Sequence, residues 1–169
     1  MNTESIISLL RWAAPISFGF HIIEEFIWPA GFIEWYHGYR PAVAGASRSY
    51  YYKANAAYFS VTFLVAVMGT LSGGYHGLLV TAGVLLNNLL FTHVRGALKT
   101  RSHSPGIVTG LALYVPLFAA SYGCVIAHQL VSVPGAIACY LVSLLGEVYF
   151  ALKKVSASSA DQAGGLSSR

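Results

Sequence analysis

The chain has 169 residues, of which 56% are hydrophobic and only 9% charged, and its mean hydropathy is +0.60. A soluble domain carries about a quarter charged residues, so the composition excludes an ordinary soluble enzyme and points to an all-α, polytopic membrane helix bundle. The formal net charge of +4 is scattered in short clusters between apolar runs, which is a topology signal and not a nucleic-acid footprint.

Five transmembrane helices are expected, with an interfacial segment between the first and second. The first runs from about Ile6 to Trp28 and stops at Pro29 and Gly31. It has no basic leader and follows Glu4, so it reads as a retained helix and not a cleaved signal. Pro15 lies inside it and is expected to kink or loosen the helix. Residues 31–53 are too polar and aromatic to span a bilayer: Glu34, Trp35, Tyr36, His37, Tyr39 and Arg40 are followed by Tyr50, Tyr51 and Tyr52. Such a segment lies along the headgroup region, as a gate or as a membrane belt.

The second span covers about Ala54 to Leu71 and ends at Gly73-Gly74. A third runs from Tyr75 to Val94, followed by a basic loop, Arg95 to His103. The fourth begins at Pro105, a favoured first helical position, and reaches Ala127. After a turn at His128 and Gln129, the fifth runs from Val131 to Leu152 and carries Glu147. Residues 1–155 thus form one membrane domain, and the Ser/Ala/Gly-rich tail 156–169 is expected to be disordered. Cys124 and Cys139 fall within apolar runs and read as packing residues.

Every Lys and Arg outside the first span falls in the loops after spans one, three and five: Arg40, Arg48 and Lys53, then Arg95, Lys99 and Arg101, then Lys153, Lys154 and Arg169. The positive-inside rule gives an outside N-terminus and a cytoplasmic C-terminus, in an integral membrane protein of a bacterial inner membrane.

Against this frame, His21, Glu24 and Glu25 are three ionisable groups inside one apolar run. Each costs at least about 2.5 kcal/mol at mid-bilayer, so such groups face a protein interior and mark function. At helical spacing His21 lies one turn from both carboxylates, with Glu25 nearer its direction than Glu24. Asn88 and His93 on span three, and Glu147 on span five, fall at a similar depth on the cytoplasmic side. The candidate catalytic set is therefore His21, Glu24, Glu25, Asn88, His93 and Glu147, with His21, Glu25, His93 and Glu147 as candidate metal ligands. Glu25 is expected at the centre and Glu24 in a supporting role. A plainer reading has the His and Glu side chains only joining helices, and Asn88 only packing. His37, His76, His103 and His128 read as interfacial, and Glu34 as solvated.

His21-Ile-Ile-Glu24-Glu25, the Asn88 and His93 pair, and Ser104-Pro105-Gly106-Ile107-Val108-Thr109 together resemble the HXXEE-motif integral membrane proteins. The last stretch is similar to that family's Tyr-x-Pro-Gly segment, with His103 in the tyrosine's place. The resemblance implies shared site residues and adds little about a reaction.

Three functions fit. The first is a membrane-embedded enzyme whose imidazole and carboxylate ligands hold zinc, iron or manganese and act on a lipid-like substrate. The second is a metal-free acid–base isomerase or cyclase of an isoprenoid-like molecule, since adjacent carboxylates in a low dielectric cannot both ionise and one keeps its proton. The third is a proton-coupled transporter using the same groups as a relay, for which a homodimer would have to supply the missing repeat. The expected partners are the membrane and a hydrophobic small molecule or lipid, with no nucleic acid.

Overall fold

The computed structural model describes residues 2–146. Within them lie six helices and no strand: α1 (Thr3–Phe26), α2 (Phe32–Tyr39), α3 (Arg48–Ser72), α4 (His76–Thr100), α5 (Ile107–Ala127) and α6 (Val133–Gly146). Helices α1, α3, α4 and α5 are each long and apolar enough to cross a membrane. Helix α6 is shorter and runs to the last described residue. Glu147, the second half of the expected fifth span and the tail from Ser156 lie outside the described residues.

The bundle is sorted inside out relative to a soluble protein. On α1 the buried side chains include Ile7, Arg11, Ala14, Phe18, His21 and Glu25, spaced three or four apart. Leu9, Ile16, Phe20, Ile23 and Ile27 on the other face are exposed. An apolar outer face with the polar groups turned inward is what a bilayer selects. Helix α4 is central, with 50% of its apolar window buried, whereas α3 is peripheral with 11%. Close helix approach needs small residues; a Cβ on Gly83 of α4 would stand 2.5 Å from the Ser143 hydroxyl of α6.

Local chemistry sets the helix ends. Asn2 caps α1 by accepting from the Ser5 amide at 2.8 Å, and the helix runs through Pro15 without a break. The expected interfacial segment is shorter than residues 31–53. It consists of α2 and a 3-10 turn at Pro41–Val43. Ser47 then accepts from the Tyr50 amide and starts α3 at Arg48, so the three tyrosines belong to a long helix.

The expected basic loop is also mostly helix, because α4 continues to Thr100. Arg95 and Lys99 can lay their stems along the helix and carry their charges to the interface, so basic residues need not end it. Packing holds this extension: a Cβ on Gly96 would meet the Trp35 ring of α2 at 2.4 Å. Helix α5 starts two residues later than Pro105, after Gly106 at φ 93°.

Two helices contain a wider, π-helical turn, Leu89–Val94 in α4 and Gly110–Tyr114 in α5. Such turns break the 3.6-residue register and are frequent at functional sites. One carries His93 and the other ends at Tyr114. The Tyr39 hydroxyl donates to the Phe91 carbonyl at 3.1 Å, giving a partner to backbone in the first of them.

Candidate functional site

His21 and Glu25 lie on successive turns of α1, and the π turn of α4 brings His93 across to them. All three are buried, and one ligand atom from each lies within 4.8 Å of the others. His21 Nε2 stands 3.1 Å from His93 Nε2. Glu25 Oε1 stands 3.4 Å from His21 Nε2 and 3.3 Å from His93 Nε2.

The surrounding hydrogen bonds assign the ring tautomers. Thr109 has one hydroxyl proton, and its Oγ1 lies 2.5 Å from Glu24 Oε2. Donating that proton to the carboxylate leaves Thr109 to accept from His21 Nδ1, 3.0 Å away. His93 Nδ1 is likewise 3.0 Å from Ser104 Oγ, whose own proton is directed at the Pro105 carbonyl. With the hydrogen on both Nδ1 atoms, as the Thr109 contact requires for His21, the two Nε2 atoms present lone pairs. Two nitrogen lone pairs and a carboxyl group then converge, an arrangement that a metal ion satisfies and that a proton, on Glu25 or between the two Nε2 atoms, satisfies as well.

The distances also fit an ion. Ionic N–H···O pairs close to about 2.7–2.9 Å, shorter than either Glu25 contact. Donors held at about 2.0–2.2 Å from one ion, at tetrahedral or right angles, stand about 2.8–3.6 Å apart. The three edges fall within that range. Two imidazoles and a carboxylate on one face are a set suited to zinc or to non-haem iron, with manganese taking the more oxygen-rich variants. The hydroxyls on Nδ1 are the outer contacts that such ligands need.

Glu24 faces another way. Its carboxylate accepts from the Val108 amide at 3.2 Å and the Thr109 amide at 2.7 Å, so it caps the start of α5 from a different helix. The reason lies in Gly106, the residue before that helix. A Cβ there would come within 2.6 Å of His21 Cε1 and 2.7 Å of His93 Cε1, and its φ is 93°. Only glycine fits, glycine has no capping side chain, and Glu24 supplies the missing acceptor. Through Thr109 it also orients His21.

Aromatic rings enclose the imidazoles. Trp35 of α2 stacks on His93 at 6.2 Å and 7°, Phe32 lies 5.9 Å from the same ring, and Tyr114 lies 4.9 Å from His21. The Tyr114 hydroxyl is sealed from solvent with no partner among the described residues. A cavity of about 470 Å³ opens beside the cluster, and Glu25 is the member of it that lines the wall.

Asn88 lines this cavity but makes no side-chain hydrogen bond among the described residues. Its neighbour Asn87 is the buried one, donating to Ser143 at 2.9 Å and accepting from Tyr140 at 3.3 Å. His103, in the expected tyrosine's place, is exposed. Residues that sequence reasoning did not assign are Thr109, Ser104, Gly106, Trp35 and Tyr114. The first three belong to the Ser104–Thr109 stretch already singled out by its resemblance.

A family model described as a protein of unknown function with HXXEE motif matches residues 12–121. Neither the curated proteins nor the solved structures contain a match to the chain.

Proposed function

The chain belongs to the HXXEE family, and from that premise we propose that it is a membrane-embedded metalloenzyme acting on a lipid-like substrate. The ligands are His21, His93 and Glu25, and zinc, iron or manganese is the ion. The observation that carries this reading is the triangle of three acceptor atoms with edges of 3.1, 3.3 and 3.4 Å. When bound, the ion supplies Lewis-acid or redox chemistry. The chain's own residues hold and orient it: Thr109 and Ser104 fix the imidazoles, Gly106 leaves room for both rings, and Trp35 and Phe32 cover His93 against water. Substrate reaches the centre through the cavity, on the side of Glu25. Every described Lys and Arg outside α1 lies at this end of the bundle, which supports a cytoplasmic-leaflet site in an inner membrane.

A second reading keeps the residues and omits the ion. The positive charge is then a proton shared between the two Nε2 atoms at 3.1 Å. Glu25, on the cavity wall, takes and returns protons on an isoprenoid-like substrate.

Elemental analysis of protein purified without chelators decides between them. One ion per chain is expected, abolished in His21→Ala, His93→Ala and Glu25→Gln. If wild-type protein reloaded with zinc, iron and manganese in turn holds no more metal than His93→Ala, the metalloenzyme reading fails.

A further inference from the structure

The cavity beside Glu25 has a composition of its own. Its walls include Phe18, Val84, Leu85 and Val142 in one part, where Asn87 and Ser143 also reach it but are hydrogen-bonded to each other, and Arg40, Tyr50, Asn55, Asn88 and Thr92 in another. The two parts differ in depth. Phe18 precedes Glu25 on α1 by about 10 Å of helix at the α-helical rise. Leu85 precedes Thr92 on α4 by a similar length. The apolar wall is therefore the deep one, and the polar wall lies at the interfacial end with α2.

The charge at that end is one-sided. Arg48 is paired with Glu34 at 2.8 Å, and Glu25 faces the two imidazoles. Arg40 lines the cavity, and among the described residues no carboxylate pairs with it. Its guanidinium is held between aromatic faces, 5.4 Å from the Tyr36 ring centre and 5.1 Å from that of Tyr39. Lys99, which does not line the cavity, stands 5.4 Å from the same Tyr39 ring and donates to the Tyr39 carbonyl at 3.4 Å. A guanidinium fixed by stacking and left without an anion is prepared to receive one.

We propose that this cavity binds an anionic amphiphile, a single-tailed molecule whose phosphate or carboxylate head rests on Arg40 and whose tail runs down the wall of Phe18, Val84, Leu85 and Val142. The volume of about 470 Å³ suits such a molecule. Because Glu25 lies at the polar end, the atom presented to it belongs to the head-proximal part of the ligand and not to the tail. The inference rests on the proposed function only for what happens at Glu25; the binding order stands on Arg40 and the cavity alone.

The test uses the full chain in nanodiscs of zwitterionic lipid and the displacement of a fluorescent dodecyl phosphate. Wild-type protein is expected to bind dodecyl phosphate more tightly than dodecanol, dodecanol more tightly than dodecyltrimethylammonium, and inorganic phosphate too weakly to displace the probe. Arg40→Gln should weaken dodecyl phosphate by about tenfold to a hundredfold, the range for a charged hydrogen bond, and leave dodecanol unchanged. Arg40→Lys should keep part of the preference. Ala54→Phe, which fills the cavity, should weaken all the amphiphiles alike. An Arg40 that served only as a membrane anchor would leave the order intact in Arg40→Gln, and that result overturns the proposal. So does displacement by inorganic phosphate as good as that by dodecyl phosphate, which would mean a site for free anions. Metal content of the same samples separates the two readings. Wild-type protein without metal but with this binding order ends the metalloenzyme proposal and keeps the anion site. Full metal with no order in the amphiphiles does the reverse.

Discussion

Helix α1 buries ionisable side chains at two levels. Near its start Arg11 is 5% exposed. It donates to the Gly74 carbonyl at 3.1 Å and lies 5.6 Å from the centre of the Tyr75 ring, whose hydroxyl donates to Glu4 at 2.8 Å. Its partners are backbone and a ring, and the void beside it holds only about 10 Å³, roughly one water. Further along, His21, Glu24 and Glu25 are as deeply buried. Their partners are one another, hydroxyls and helix amides, and a large cavity opens at their side. Burial of charge is common to both levels and so marks neither as functional. The difference is that one level meets its charge with a carbonyl and a ring, leaving Arg11 Nε without a partner among the described residues, while the other gathers two imidazoles and a carboxyl group beside a cavity.

That contrast breaks most visibly at Gly106. An added methyl group must displace both imidazole rings and also hold a backbone φ of 93°. Gly106→Ala is expected to abolish metal binding at the proposed site and to lower stability by about 2–6 kcal/mol, the sum of left-handed strain and overpacking. Denaturation in detergent, run beside elemental analysis, measures both. Unchanged metal content in this variant would mean that the two rings need not hold their present positions.

A smaller effect separates the two glutamates. Glu24→Gln keeps an oxygen for one α5 amide but offers an amine to the other groups around it. The expected loss is tenfold to a hundredfold in metal affinity, about the range for groups that orient ligands, with about 1 kcal/mol from the weakened cap. Glu25→Gln should instead lose the metal outright. Equal loss in the two variants would show that the carboxylates act as one unit.

The contrast also shows what the sequence could tell. Ionisable residues in an apolar run are costly enough to stand out, so His21, Glu24 and Glu25 were legible from composition, and His93 from its depth. The role of Ser104–Thr109 was not. Its contacts to His21, His93 and Glu24 cross as many as 88 residues of chain and exist only once the bundle closes. Trp35 in an interfacial stretch reads as a belt residue until α2 folds back over His93. Asn87 and Asn88 sit beside a π turn, where counting 100° per residue no longer says which of two neighbours points inward. The partners of Arg11, a carbonyl and a ring at the α3–α4 turn, leave no mark in a residue pattern.

The smallest effect is expected at Arg11 itself, and it tests whether the two levels of α1 are independent. Arg11→Met keeps an unbranched, apolar side chain of similar length. It gives up one charged hydrogen bond to Gly74, worth about 1.5–3 kcal/mol, and the contact with Tyr75, worth about 1 kcal/mol. It also removes a buried charge whose Nε has no partner among the described residues. Replacing buried ionic groups by well-packed apolar ones is often neutral. The two changes oppose each other, so stability should move by less than about 1.5 kcal/mol in either direction. Metal content and the binding order of the amphiphiles should not move at all, since Arg11 and His21 are separated by about 15 Å of helix at the α-helical rise. Loss of metal in Arg11→Met, with the fold retained, would couple the two ends through α1 and end the distinction between a charge held by backbone and a ring and the cluster proposed to bind an ion.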